Sequence, residues 1–544
     1  MNRNQQINRL KEESFDLCII GGGASGAGCA LDAALRGLRV ALIDRHDFAA
    51  ETSSKSTKLV HGGVRYLEQA FKNLDLAQLR QERHIVLENA PHLAQPLGLI
   101  TPVFSWWESL YFSIGLKMYG WFASGKDQLP KSRRLSKKEA LARMPGLSPH
   151  IHSAVLYYDG QLDDARYCLA LVQTACEAGA TVANYVKVID FQKDSTHKLE
   201  AARVLDERSG AIFQIRASVF LNCTGAGADA IRLLANPFLP PRLQPSKGVH
   251  AVLPLPVLGG TDALLIPQTR DGRVVFAVPF EGYLLLGTTD DPVKNVEKEP
   301  VLEAVEIDYL LETLQRFLEK KIDKKMVSAG FGGLRPLLSA QNNALNNIKT
   351  KTLLRDHEVE SDPVSGLFSL LGGKWTTYRL MASDAVDAVC NTLQVSALCN
   401  TQTHLLVGAQ GWTTDLAANL ESEYGLDADV CVHLSRKYGA RAREVAHLAQ
   451  KEAPLAKRII PEYAAICAEI VYAVRMEMAC KVRDFLARRI RLEMTDWALA
   501  RKATPAVAHL MGAELGWSEQ ETRQQATEYL ALLESFENRS KGRM

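Results

Sequence analysis

Cysteine is scarce in this chain, ten in 544 residues, and no two stand as a CxxC pair. Zinc ribbons and iron–sulfur clusters need closely spaced thiolates, so neither fits. Net charge is nearly absent as well. The formal balance of +2 supplies no overall basic field of the kind that holds duplex nucleic acid. No uninterrupted apolar run of about 18 residues occurs, which excludes a simple membrane-spanning helix but leaves surface attachment open. The first residues, MNRNQQINRLKEES, lack the apolar centre of a secretory signal. A polar arm over 1–14 and a reducing, cytoplasmic setting are therefore expected.

What is present is an ordinary globular composition, 47% apolar and 23% charged. A chain of 544 residues exceeds what one core organises, so two or three packed units are expected. The first chemistry-bearing segment is FDLCII followed by GGGASG and AGCALDAALRGL, the order strand, turn, helix. Gly21 permits the tight turn, Gly23 the approach of a pyrophosphate, and Gly26 close helix–strand packing. The helix N-terminus offers N–H donors to the anion. The next strand, RVALID, ends at Asp44, where a carboxylate can accept from ribose hydroxyls. This is a dinucleotide-binding pattern, and by itself it does not separate FAD from NAD.

Residues 52–68, TSSKSTKLVHGGVRYLE, form a hydroxyl-rich, glycine-containing stretch that is similar to the signature of FAD-dependent, quinone-linked sn-glycerol-3-phosphate dehydrogenases. The resemblance continues through GQLDDAR, through VFLNCTGAGAD as a second FAD contact, and through GFGGLRPL, LLRDHEV and LLGGKWTTYR. It implies FAD as cofactor, held by Thr52, Ser53, Ser54, His61, Val186, Gly225, Gly373 and Thr377 besides the first turn. It implies that Arg65, Tyr66, His250, Thr289 and Arg355 face the substrate. His61, Arg335 and Lys374 are the implied catalytic set, with His61 or His250 as the base. The charge logic agrees, since guanidinium groups bind a phosphate monoester in a bidentate fork. Lys55, Lys58 and His357 depart from the family pattern. LLGGKWTTYR is not a phosphate loop, because Phe368 and Trp375 stand where that motif needs glycine and a hydroxyl residue.

The expected fold is α/β: an FAD-binding Rossmann-type domain, an antiparallel-sheet substrate domain and a C-terminal all-helical domain. The FAD segments are placed at about 15–90, 160–235 and 355–390, and the substrate segments at about 91–159 and 236–354. Short apolar runs between about 242 and 340 read as antiparallel sheet, with a hairpin at Asp271 and Gly272. The stretch TVANYVKVIDF reads as one strand paired with VFLNCTGAGAD. From 391 to 544 the pattern turns helical, and Arg483, Arg488, Arg489 and Arg491, interleaved with acids, read as a solvated, salt-bridged face. Residues 105–123 read as an amphipathic helix, packed in the substrate domain or lying at a membrane interface.

The reaction implied is oxidation of sn-glycerol 3-phosphate to dihydroxyacetone phosphate by hydride transfer to FAD. The partners implied are that substrate and a membrane quinone, with peripheral contact at the inner membrane and a homodimer left open. Rival readings are an oxygen-using glycerol-3-phosphate oxidase, an FAD-dependent amine or amino-acid oxidase, and a non-enzymatic flavin-binding scaffold. Products and substrate screens separate them.

Overall fold

Alternate residues of the strand Ser14–Ile20 enter different cores, Leu17 and Ile19 on one face, Cys18 and Ile20 on the other. A strand apolar on both faces belongs inside a parallel sheet. In the computed structural model, which describes residues 1–60, 75–105, 129–269, 271–293, 296–339 and 357–543, it does. It pairs in parallel with Val40–Ile43 on one side and Ile212–Asn222 on the other. Thr181–Ala183 and Phe368–Gly372 extend the parallel set, and His357–Ser361 adds an antiparallel edge. The winding reverses between Ser14–Ile20 and Ile212–Asn222. At such a switch point a crevice opens beyond the carboxyl ends of the strands.

The helices Ala24–Leu35, Asp164–Glu177 and Tyr378–Leu393 cover one face of this sheet. The other face is closed by the strands Val186–Lys193 and Leu199–Asp206 and by the helix Arg3–Glu12. The first residues are thus a packed helix rather than a polar arm. Ile7 and Leu10, three apart on one helical face, enter the core, and Arg3 pairs with Asp206 at 2.6 Å. TVANYVKVIDF is two strands, not one. The chain turns at Tyr185, whose φ is +56°, while the Asn184 amide is drawn inward to donate to Asp47 and to the Met478 carbonyl. Its later half reaches Ile212–Asn222 only through Leu199–Asp206, so the direct pairing expected from sequence is not made.

The second sheet runs Ser246–Pro254, Tyr283–Gly287, Val275–Phe280, Ala263–Ile266, Ala94–Val103 and Ser153–Leu162. Ala329–Arg335 joins its Ser246–Pro254 end, and Arg133–Ser136 joins Ser153–Leu162. The pairing is antiparallel except between Ala263–Ile266 and Ala94–Val103. Gly272, at φ +74°, makes the expected hairpin turn. The helix Ala304–Gln315, foreseen nowhere in the all-sheet reading, packs Leu310 and Leu314 on one face of this sheet. The opposite face, with Leu99, Val252 and Phe331, packs on the C-terminal helices through Phe485, Trp497, Met511 and Leu533.

Those C-terminal helices also grip the first unit through charge. Arg488, Arg489 and Arg491 are buried rather than solvated, which corrects the surface reading of this segment. Asp47 accepts from Arg488 at 2.6 Å, from Arg489 at 2.7 and 3.1 Å, and from Asn184 at 3.0 Å. Burial alone would raise the Asp47 carboxyl, but the two guanidinium groups hold it down at about 2. Arg491 donates to Asp164 and to the Ser54 carbonyl, both at 2.8 Å. Helical spacing alone does not reveal this, because the partners lie hundreds of residues away. Replacing Asp47 with Ala removes the carboxylate that two buried guanidinium groups share, leaving Arg488 only Asp484 and Arg489 only Glu477 as charged partners, and is expected to destabilise the protein by about 3–5 kcal/mol. Urea unfolding of the flavin-loaded protein checks it, and a loss below about 1 kcal/mol would show that the pair contributes no more than a surface bridge.

Candidate active site

The turn after the first strand is fixed by space and by backbone. Gly21 has φ +113°, and a Cβ there would lie 2.6 Å from the Cys223 carbonyl oxygen. A Cβ on Gly26 would lie 1.8 Å from the Gly21 carbonyl oxygen, so this glycine lets the helix Ala24–Leu35 start against the turn. A Cβ on Gly23 would lie 2.8 Å from Ser53 Oγ. The close neighbour at Gly23 is therefore the hydroxyl loop. Gly225, at φ +57°, begins the matching turn after Ile212–Asn222. The two glycine turns thus flank the crevice at the switch point.

Asp44 stands at the end of the second strand and accepts from the Gly22 N–H at 2.6 Å and the His46 N–H at 2.7 Å. Burial pushes its carboxyl up to about 7 against those donors. Further hydroxyl donors, such as those of a ribose, would stabilise its charged form. Val186 donates its N–H to the Asp44 carbonyl at 2.7 Å and is itself buried beside that acid.

Consecutive hydroxyls then join the two sheets. Ser53 Oγ accepts from the Ala24 N–H at 2.9 Å, in the first turn of the dinucleotide helix. Thr52 donates to the Leu334 carbonyl at 2.6 Å, next to Arg335 on the roof strand. The Trp375 indole donates to the Ser53 carbonyl at 3.0 Å, which draws in the segment carrying Gly373, Lys374 and Thr377. Gly373 has φ +90°, and Thr377 donates to the Lys374 carbonyl at 3.3 Å. Ser54 departs from its expected place, since its carbonyl is taken by Lys58 and Arg491 and its hydroxyl turns to Glu51.

On the roof, Arg335 donates to Thr288 Oγ1 at 3.0 Å and to the Thr289 carbonyl at 2.9 Å, with Asp290 at 3.3 Å. Thr289 is buried, its hydroxyl accepting from the Val249 N–H at 3.2 Å. His250 lies flat on Phe331, ring centroids 4.7 Å apart, and its Nε2 is 3.1 Å from Thr57 Oγ1. Burial, and then the nearby Lys58 and Arg335 cations, push its imidazole well below the ordinary range, so it is neutral. Its Nδ1 is buried without a hydrogen-bond partner among the described residues. Lys58 is buried under the same ring stack, donating to Asp164 at 2.7 Å with its ammonium 5.0 Å from the Phe331 ring. Burial lowers it to about 7, against the pull of Asp164. Lys55 pairs with Glu299 at 2.8 Å, and His357 with Asp384 at 2.6 Å. All three departures from the family pattern thus serve contacts within the protein.

Thr57 and Trp375 carry site geometry that sequence reading passed over, although both lie inside the quoted motifs. His61, Arg65, Tyr66 and Arg355 lie outside the described residues, as does most of 105–123.

The fold and the crevice define an FAD-dependent oxidoreductase, with glycine turns that exclude a Cβ, a carboxylate at the end of the second strand and a second sheet roofing the site with a guanidinium and a neutral imidazole. The family profile described as FAD dependent oxidoreductase matches residues 16–368, and that described as the C-terminal domain of alpha-glycerophosphate oxidase matches 399–522. The probable mitochondrial glycerol-3-phosphate dehydrogenase of Caenorhabditis elegans is 42% identical over 95% of this chain and 73% of its own length. The mitochondrial glycerol-3-phosphate dehydrogenase of Homo sapiens is 38% identical over 99% of this chain and 76% of its own. The crystal structure of the glycerol-3-phosphate dehydrogenase from Bacillus halodurans, complexed with FAD, superimposes with a TM-score of 0.79 at 29% identity, covering 97% of this chain and 96% of that one. The chain belongs to the family of FAD-dependent glycerol-3-phosphate dehydrogenases.

The glycine geometry generates a direct test. Gly26→Ala puts a methyl group into the Gly21 carbonyl, and most of the purified variant is expected to lack flavin by absorbance while its far-ultraviolet circular dichroism stays that of the parent. Full flavin occupancy would mean that this turn does not hold the cofactor.

Proposed function

We propose that this protein oxidises sn-glycerol 3-phosphate to dihydroxyacetone phosphate and delivers the electrons to a membrane quinone. Bound FAD supplies the two-electron acceptor. The observation that carries the reading is the Thr52–Ser53 bridge, one hydroxyl on the dinucleotide helix and the next on the strand of Arg335. It sets a fixed cation of the roof beside the cofactor crevice. A phosphate monoester bound by that guanidinium has its neighbouring carbons held over the crevice, which is the positional part of the catalysis.

In this reading Arg335, Lys374 and Arg355, with Arg65 and Tyr66, hold the phosphate and hydroxyls of the substrate. Thr289 fixes the backbone that orients Arg335. His61 accepts the hydroxyl proton, since imidazole titrates near neutral pH. His250, neutral and held by Thr57, offers a second acceptor. Gly21, Gly23, Gly26, Asp44, Thr52, Ser53, Val186, Gly225, Gly373 and Thr377 form the cofactor bed. Ser54 supports that bed through its backbone. The roof excludes water from the crevice. None of the described helices is long and apolar enough to cross a membrane. Access to a quinone therefore requires peripheral contact, which we place at the cytoplasmic face of the inner membrane.

Anaerobic mixing with sn-glycerol 3-phosphate is expected to bleach the flavin, whereas glycine and D-alanine leave it oxidised. Bleaching by the amino acids, or none by the phosphate, would refute the substrate. Reoxidation by a soluble quinone faster than by air is expected for a dehydrogenase, and stoichiometric hydrogen peroxide would instead mark an oxidase. His61→Asn is expected to slow flavin reduction by about 100-fold or more while leaving substrate affinity within a few fold. Near-normal reduction by that variant would remove His61 as the base.

A further inference from the structure

Lys58 has no part in the reaction as assigned above, yet its fully buried ammonium and the His250 imidazole meet the same ring, that of Phe331. A buried cation is costly, because desolvation disfavours the charged form and an apolar side chain would fill the same space without that cost. The backbone adds to it. Lys58 has φ +64°, a left-handed conformation uncommon for a residue that carries a side chain. Its N–H donates to Ser56 Oγ at 3.0 Å and its carbonyl accepts from the Leu162 N–H at 3.0 Å, which holds the turn in place.

The turn has two consequences at the site. Thr57, the residue before it, brings its Oγ1 to 3.1 Å from His250 Nε2. The Lys58 side chain is meanwhile clamped by Asp164 at 2.7 Å and the Ser54 carbonyl at 2.8 Å. So held, the ammonium lies 5.0 Å from the centroid of the Phe331 ring, on which the imidazole is stacked within 12° of parallel. The surrounding charges are fixed by one another. Asp164 also receives Arg491 at 2.8 Å, Asp163 lies 3.3 Å from that guanidinium, and Lys437 meets the Phe280 ring that Lys58 approaches at 5.9 Å. On the side of His250 stands Arg335, 3.3 Å from Asp290. The carboxylates Asp163 and Asp164 thus act on Lys58, whereas the charges that act on the imidazole are the cations Lys58 and Arg335.

Two cations beside an imidazole disfavour a third. Burial does most to keep His250 uncharged, and Lys58 adds to it. Burial also brings Lys58 down to about 7 against the pull of Asp164. Lys58 is therefore charged below that pH, where a histidine otherwise gains its proton, and uncharged above it, where the imidazole is neutral unaided. We propose that Lys58 is a positioning residue for the reaction: through Thr57 it sets the imidazole of His250, and by its ammonium it keeps that imidazole an uncharged proton acceptor. The proposal rests on the reading of His250 as a group that faces the substrate. Its Nδ1, buried without a hydrogen-bond partner among the described residues, is the atom left for that part.

The test reads His250 directly. Flavin-loaded protein carrying isotope-labelled histidine is titrated by NMR, and the His250 signal is identified by its loss in His250→Asn. In the parent it is expected to remain that of neutral imidazole well below the ordinary histidine range. Two variants are compared with it, Lys58→Met and Lys58→Met combined with Asp164→Asn, the second leaving neither charge of the pair buried alone. Protonation of His250 is expected to begin about one pH unit higher, or more, in both. The acid limb of anaerobic flavin reduction by sn-glycerol 3-phosphate is expected to move up with it, while the rates at about pH 8 stay within a few fold of the parent. A His250 titration that coincides with the parent's would overturn the proposal, as would an unmoved acid limb or a rate lowered by one factor at every pH. Loss of flavin from the doubly substituted protein would overturn it too, because the charges would then serve the cofactor bed rather than the histidine. The NMR signal is read without substrate, so a failure of the substrate assignment, seen as no bleaching of the parent, stays distinguishable.

Discussion

The buried pairing of Asp47 with Arg488 and Arg489 is the constraint on which the rest of this architecture leans. Asp47 follows Asp44 by three residues, and the hydroxyl loop begins five residues later. A second buried set, Lys58 and Arg491 on Asp164, closes the far side of that loop. The loop that joins the glycine turn to the roof strand is therefore held by charges of the C-terminal helices from beneath and by the Thr52 bond to the roof strand from above. Buried ion pairs of this kind add little net stability over apolar packing, but losing one partner is costly. Their use here is to fix position. A loop with so many polar groups and so little apolar surface has few other means of holding one geometry.

The same residues account for what the sequence displays and what it conceals. The strand, turn and helix around Gly21, Gly23 and Gly26 are legible because every determinant is local, and Asp44 is legible because its distance from the glycines is set by one helix and one strand. The hairpin at Gly272 is legible for the same reason. The arginines of the C-terminal segment are not, since helical spacing with interleaved acids looks alike whether solvent or another unit faces it. Only the sequence-distant partners Asp47 and Asp164 decide the matter. The helix Arg3–Glu12 shows the converse case. Two apolar residues among polar ones suffice to dock it, and a composition-based reading passes over them. Within the site, resemblance supplied Arg335, His250 and Lys374, whereas Thr57 and Trp375 emerged only from geometry, because a hydroxyl or indole that serves another side chain leaves no pattern of its own.

The roof sheet does two jobs with its two faces. One packs the helix Ala304–Gln315 and keeps a private core, while the other rests on the C-terminal helices and carries His250 and Phe331. Burying both faces makes the sheet a rigid plate, so residues at its strand ends hold fixed positions relative to the crevice. Arg335, itself the last residue of the strand Ala329–Arg335, gains its orientation from residues 288 and 289, which directly follow the strand Tyr283–Gly287.

Asp47 and Arg488 are separated by 441 residues along the chain. During synthesis the cofactor loop thus waits for nearly the whole polypeptide before its counter-charges exist, roughly 20–90 s at common elongation rates. Throughout that interval Asp47 faces water, where an unpaired carboxylate is well solvated. The nascent dinucleotide unit can form its local strands and helices early, since those contacts are short-range. The counter-charges that hold this loop are thus among the last parts of its support to be made.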